Sequence, residues 1–263
     1  MSSLSELGPA LTDEAGSRKP ALWRAITGGR LSAGSGDGPR PAGRSILPFG
    51  LSRAALPGPL EGANAALQRG DYATAYALAR PLAEKGLAVA QLVVGVLFAG
   101  GHGVPRNLAE AANWHRRAAD QGRPEAQTLL GVMYARGQGV PQNDARAANW
   151  FLKAASRDHA PAQSNLGVMH AEGRGVKQDD AEAAKWFLKA ADKGLAEAQT
   201  ILGLMCVKGH GVAQNYILGH MWLNLAAAQG DAGALTSRDQ LARIMTPAQI
   251  AEAQRLAQER TMK

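Results

Sequence analysis

The chain has 263 residues, of which 46% are hydrophobic, 5% aromatic and 19% charged. A chain of this size and apolar content can bury a substantial core in one or two domains, and its few aromatic residues favour packed helices over a sheet. Its single cysteine, Cys206, excludes an intrachain disulfide and a cysteine-rich zinc site.

The net charge of +7 is spread along the chain rather than concentrated. Residues 1–60 hold 7 Lys and Arg against 4 Asp and Glu, and residues 61–263 hold 22 against 18. Because phosphate recognition favours clustered basic side chains, we predict no nucleic-acid partner. No apolar run approaches the roughly 18 residues of a membrane-spanning helix, so we predict no membrane span.

Residues 1–59 are rich in Gly, Pro, Ser and Arg and show no sustained hydrophobic period. Such a composition is typical of disorder, and we predict a disordered tail over this range. The tail lacks the basic start and apolar stretch of an export signal. A cytoplasmic location is therefore the default expectation, while a periplasmic or secreted one stays open.

From residue 60 onward the sequence repeats with a period of 36 residues. A tryptophan, a Gly-x-Gly-Val loop, a glutamine and a further glycine each recur four times at this spacing, which predicts a solenoid of stacked helical units. These columns comprise Trp114, Trp150, Trp186 and Trp222; the loops starting at Gly101, Gly137, Gly173 and Gly209; Gln91, Gln127, Gln163 and Gln199; and Gly95, Gly131, Gly167 and Gly203.

Each repeat is predicted to contain two helices. In the second repeat the first helix spans residues 124–136, and the loop at residues 137–141 ends it, because its glycines can adopt left-handed conformations. The second helix carries Trp150 and Ala154 on its packed face. Its N-cap is predicted to be an asparagine or aspartate in every repeat: Asn107, Asn143, Asp179 and Asn215.

The two ends of the repeat array differ from its middle, as expected where a solenoid covers its terminal core. We predict capping helices over residues 62–69 and 71–85 at one end, and over 231–244 and 247–260 at the other, with Thr246 as an N-cap. The predicted units are a cap at 60–87, repeats at about 88–122, 123–158, 159–194 and 195–230, and a cap at 231–263.

Groups that could carry catalysis are better explained as structural. The Gly-x-Gly-Val loops follow a helix rather than a strand, unlike a dinucleotide-binding loop. No two histidines have the spacing of a zinc site, so we predict no metal. Cys206 and His170 occupy the aromatic column of the first helices, with Phe98 and Tyr134, which predicts a buried thiol and a packed imidazole.

The pattern Ala-Gln-x-x-Leu-Gly-x-Met-Tyr-x-x-Gly-x-Gly-Val-x-x-Asn-x-x-x-Ala-x-x-Trp-(x)3-Ala-Ala, best kept from Ala126 to Ala155, resembles the Sel1-like repeat family of tetratricopeptide-type repeats. The resemblance covers roughly residues 60–263. It implies an all-α fold, a right-handed superhelical α/α solenoid of antiparallel helix pairs, that serves as an adaptor or scaffold. No catalytic motif comes with it, so we expect a monomeric, non-enzymatic protein-binding scaffold without a cofactor.

The face of each first helix opposite its packed side is the predicted partner site. Stepping 100° per residue places Thr128, Val132 and Arg136 on this face, which should line the concave groove and bind a partner peptide or helix. Alternatively, the aliphatic side chains pack against the next repeat. The corresponding residues are Leu92 and Val96; Ser164, Val168 and Glu172; and Thr200, Leu204 and Lys208.

A different functional class also stays open. The chain could be an exported envelope protein that binds a cell-wall or periplasmic ligand. The residues themselves identify no partner.

Overall fold

The computed structural model describes residues 58–262, so the predicted disordered tail at residues 1–59 lies almost entirely outside the described residues. The chain divides into two units, an N-terminal unit ending at Ala162 and a C-terminal unit beginning at Gln163. Within residues 58–262 all regular structure is helical, with twelve α-helices, one 3-10 turn and no strand. The predicted all-α helical repeat fold is confirmed.

Each predicted repeat forms a pair of helices: α3 with α4, α5 with α6, α7 with α8, and α9 with α10. In chain order the elements are the 3-10 turn Gly58–Leu60, α1 (Glu61–Arg69), α2 (Tyr72–Glu84), α3 (Ala88–Gly100), α4 (Leu108–Asp120), α5 (Pro124–Arg136), α6 (Asp144–Ala155), α7 (Ala160–Glu172), α8 (Asp180–Asp192), α9 (Ala196–Lys208), α10 (Tyr216–Ala228), α11 (Ala232–Ala242) and α12 (Pro247–Thr261).

The loop inside each repeat is closed by the residues that sequence analysis singled out. Gly137 caps α5 with φ +66° and Gly139 follows with φ +70°, both in the left-handed region where a glycine is strain-free. Asn143 then caps α6, because its side chain accepts a 2.8 Å hydrogen bond from the Arg146 amide. The predicted N-caps at Asn107, Asp179 and Asn215 are confirmed in the same way.

These loops also join successive repeats. A Cβ atom on Gly139 would clash with the backbone of Leu108, the first residue of α4 in the preceding repeat. Gly211 meets the backbone of Asp180 in the same manner within the C-terminal unit. Only a residue without a side chain allows so close an approach, which explains why the second glycine of the loop recurs.

The two helices of a pair approach closely where a glycine of the first meets a large side chain of the second. A Cβ atom on Gly131 would lie 2.6 Å from Cε1 of Phe151, a fully buried ring. His115 fills the equivalent space against Gly95. Trp150, which we predicted on the packed face, is only half-buried, and Lys153 Nζ lies 4.1 Å from its ring centre. The prediction holds for Trp114 and Trp222, which are buried, whereas in the second repeat the fully buried position is that of Phe151.

The four terminal helices form as α1, α2, α11 and α12, with ends within two residues of those predicted. α1 ends at Gly70, whose φ is +76°, and α2 follows without a long loop. Thr246 and Gln249 form a reciprocal capping box at the start of α12. The predicted cap at Thr246 is therefore confirmed.

We expect Gly131→Ala to destabilise the protein although alanine is the better helix former. The added methyl group collides with the Phe151 ring, and overpacking of this kind costs about 1–3 kcal/mol. Gly62→Ala is the matched control, because Gly62 is an exposed residue of α1 whose new Cβ meets only a flexible leucine at 3.3 Å. The Gly62→Ala variant should gain about 0.5–1 kcal/mol in free energy of unfolding, because alanine has the higher helix propensity. Urea unfolding of both variants checks this, and equal effects would contradict the packing explanation.

We expect His115 to make the stability of the protein depend on pH. Burial lowers the pKa of His115 from 6.5 to about 4, so below pH 6.5 the unfolded chain binds more protons and stability falls as the pH decreases. His115→Phe, which supplies the ring type that Phe151 provides in the next repeat, should remove a loss of about 2 kcal/mol between roughly pH 6.5 and 5. Urea unfolding at the two pH values measures it, and parallel losses in both proteins would refute the assignment.

Candidate functional site

The predicted partner face is largely covered in the structure. Val132 is only 3% exposed and Val168 only 1%. Leu92, Thr128, Ser164 and Leu204 are buried as well, whereas Val96, Arg136, Glu172, Thr200 and Lys208 have intermediate exposure. Burial of the aliphatic positions favours the alternative that they pack against neighbouring helices, and their role in partner binding stays a prediction.

Two of the predicted partner residues hold the start of the following helix. Thr128 Oγ1 lies 2.8 Å from His159 Nδ1 and 2.8 Å from the Pro124 carbonyl oxygen. In the C-terminal unit Thr200 Oγ1 lies 2.9 Å from the Asp231 carboxylate, and the other Asp231 oxygen caps α11. These threonines therefore fix the register of one repeat on the next.

The charged side chains at the ends of the first helices in the C-terminal unit are less exposed than charged side chains usually are. The Glu172 side chain is 5% exposed, and its Oε2 lies 3.5 Å from Arg174 Nη1. The Lys208 amino group is also covered. A partner would therefore meet little of these side chains in the C-terminal unit.

The most exposed side of α5 overlaps the predicted face only at Arg136. Glu125, Leu129 and Arg136, at i, i+4 and i+11, are the residues of one helical face that keep intermediate exposure. Arg123 Nη2 approaches Glu125 Oε1 to 3.3 Å at the start of this face. Sequence reasoning missed Glu125 and Leu129, because it centred the face on Val132, about 40° away.

The candidate reactive groups lie in structural positions. Cys206 is buried, and burial raises the pKa of its thiol to about 11, so the thiol is protonated at neutral pH. Within residues 58–262 no group of three His, Cys, Asp or Glu side chains is arranged to hold a metal ion. None of the described helices combines the length and apolar character that a bilayer crossing requires.

A pocket of about 320 Å³ lies in the N-terminal unit, where the ends of α4 and α6 meet the first half of α5. Its lining was not predicted. The sequence signal for it is the residue 30 positions after the repeated glutamine. Gln91 is followed by Gln121 and Gln199 by Gln229, but Gln127 is followed by Arg157 and Gln163 by Lys193. The polar and aromatic side chains in the lining are Asp120, Gln127, Trp150, Lys153, Ser156 and Arg157.

The helix pairs, their glycine contacts and their recurring caps define an α-helical repeat protein with a 36-residue unit. The model of the Sel1 repeat family matches residues 88–122, 124–159, 160–195 and 196–231, and the chain belongs to this family. Sel1 repeat proteins generally mediate protein–protein interactions and are not typically enzymes. No curated protein sequence matches the chain significantly.

Two solved structures are similar to this chain. One is the crystal structure of c5321, a protective antigen present in uropathogenic Escherichia coli strains displaying an SLR fold, with a TM-score of 0.65 and 33% identity. The match covers 76% of this chain but only 44% of that protein. The other is a Sel1 repeat protein from Oxalobacter formigenes, with a TM-score of 0.62 and 27% identity, covering 72% and 80% of the two chains.

We expect Val132→Asp to unfold the repeat rather than affect only a surface. Burying an unpaired carboxylate in this position should cost about 3 kcal/mol or more. Leu152→Asp is the control, because Leu152 is 50% exposed on α6 and should change stability by less than about 0.5 kcal/mol. Circular dichroism during urea unfolding distinguishes them. Unchanged stability of Val132→Asp would instead support an exposed partner face at this position.

Proposed function

We propose that the chain is a non-enzymatic protein-binding scaffold and that a partner peptide or helix binds on the surface formed by its first helices. The observation that best supports this is the face of α5. Leu129 is a partly exposed apolar side chain, with Glu125 one turn before it and Arg136 two turns after it. An apolar contact bordered by polar groups is the usual anatomy of a binding surface.

The chemistry of this face indicates what it would accept. A partly exposed leucine can desolvate one apolar side chain of a partner, while charges on both sides select against partners with the wrong charge pattern. An extended peptide or a helix presents apolar side chains at regular intervals, as such a face requires. Family membership supports a protein partner in general, and this face is our proposal for the contact.

The test is affinity capture from the native cell lysate with the full chain as bait, in three forms: unchanged, Leu129→Gln and Leu152→Gln. Both substitutions replace a solvent-accessible leucine on an N-terminal-unit helix with a polar residue of similar size. We expect one protein to be retained by the unchanged chain and by Leu152→Gln, but to bind Leu129→Gln at least about tenfold more weakly, the loss expected for one apolar anchor.

A folding control and the capture result together decide the test. Circular dichroism must show the same helicity and unfolding midpoint for both variants, so that loss of binding reports the surface rather than folding. Equal retention by all three forms would place the partner elsewhere on the chain, and retention of no protein would overturn the scaffold function.

A further inference from the structure

The repeated glutamine of the first helices bonds to the helix before it at Gln91, Gln127 and Gln199. Nε2 of Gln91 donates to the Ala83 carbonyl oxygen and Nε2 of Gln127 to that of Ala119, each at 3.1 Å. In both cases the acceptor belongs to the last turn of the preceding helix, where carbonyl groups lack a partner within the helix. The glutamine nitrogen is thus committed to the fold, and its Oε1 needs a separate hydrogen-bond donor.

In the first and fourth repeats a second glutamine supplies that donor. Gln121 Nε2 lies 2.8 Å from Gln91 Oε1 and 2.9 Å from the Gly86 carbonyl oxygen, so its two hydrogens serve two acceptors. In the C-terminal unit Gln229 Nε2 donates to Gln199 Oε1 at 2.8 Å. A carboxamide group is therefore the chain's own solution for this acceptor.

The second repeat lacks that solution. Arg157 stands where the donor glutamine is expected, and its Nη1 donates to the Gly122 carbonyl oxygen at 2.6 Å instead. Gln127 is 4% exposed, and its Oε1 has no hydrogen-bond partner among residues 58–262. A buried acceptor without a donor is costly, so the site gains stability when a donor enters.

We propose that the pocket lined by Gln127 binds the carboxamide side chain of an asparagine or glutamine from a partner peptide. The pocket volume of about 320 Å³ is ample for such a group. Gln127 Oε1 is itself covered in the structure, so the side chains around it must shift before an N–H of the guest can donate to it, as Gln121 does for Gln91. The guest carbonyl oxygen accepts from Lys153 or Arg157, which line the same pocket.

The lining disfavours the other common guests. An ammonium or guanidinium group could donate to Gln127, but it would be repelled by the positive charges of Lys153 and Arg157, which outnumber the one acidic group, Asp120. A carboxylate would be attracted to these charges but has no hydrogen to donate at neutral pH. A neutral carboxamide offers both a donor and an acceptor and is not repelled.

This inference rests on the proposed function, because it assumes a protein partner, but it concerns a different surface. Gln127 lies about 160° around α5 from Leu129, on the opposite side of the helix. The probe is a small molecule, so the test needs no partner. If propanamide does not bind but Leu129→Gln weakens partner binding as expected, the proposed scaffold function is supported and only the carboxamide site is refuted.

The experiment is an NMR titration of the isotopically labelled full chain, following the side-chain amide signal of Gln127. The probe is propanamide, and the control is 2-butanone, which has a similar shape and a carbonyl oxygen but no N–H donor. We expect a saturable shift with propanamide at weak affinity, as suits so small a ligand, and at least tenfold weaker binding of 2-butanone.

Two variants complete the test. Arg157→Gln should supply the donor from within, abolish the propanamide response and raise the urea midpoint of unfolding. Arg157→Ala removes the guanidinium without supplying a donor and should keep the response. Equal binding of the two probes, an unchanged response in Arg157→Gln, or no saturable shift at all would each overturn the proposal.

Discussion

The close approach of the two helices in each repeat depends on a glycine of the first helix meeting a large side chain of the second. Gly131 against Phe151 and Gly203 against Leu223 show that the partner side chain can vary while the glycine stays. Because protein interiors are close-packed, this contact sets how deep the second helix lies. The small alanines beside it, such as Ala147 and Ala154, are fully buried for the same reason.

Much of the fold could be predicted because the repeat shows the same local signal several times. Gly137 ends a helix and Asn143 starts one through backbone requirements that hold in any tertiary context. The position of Phe151 could not be predicted in this way, since Trp150 and Phe151 are both large apolar residues on adjacent positions. Only packing decides which of them faces Gly131.

The candidate surface was harder to predict than the fold. Val132 and Leu129 lie only about 60° apart around α5, yet centring the face on Val132 rather than Leu129 exchanged a buried position for a partly exposed one. Thr128 is polar, yet it holds the next repeat in place through its contact with His159. Polarity in a solenoid therefore does not by itself mark a surface, because joints between repeats also need hydrogen bonds.

The contacts between successive repeats recur at constant offsets along the chain. The glutamine bond spans eight residues in Gln91 to Ala83, Gln127 to Ala119 and Gln199 to Ala191, and the glycine of the loop meets a residue 31 positions earlier in both units. A duplication or deletion of whole 36-residue units therefore preserves these offsets, whereas an insertion of another length between the bonded residues shifts them. In evolution such a gene can lengthen or shorten its product by whole units without redesigning these contacts.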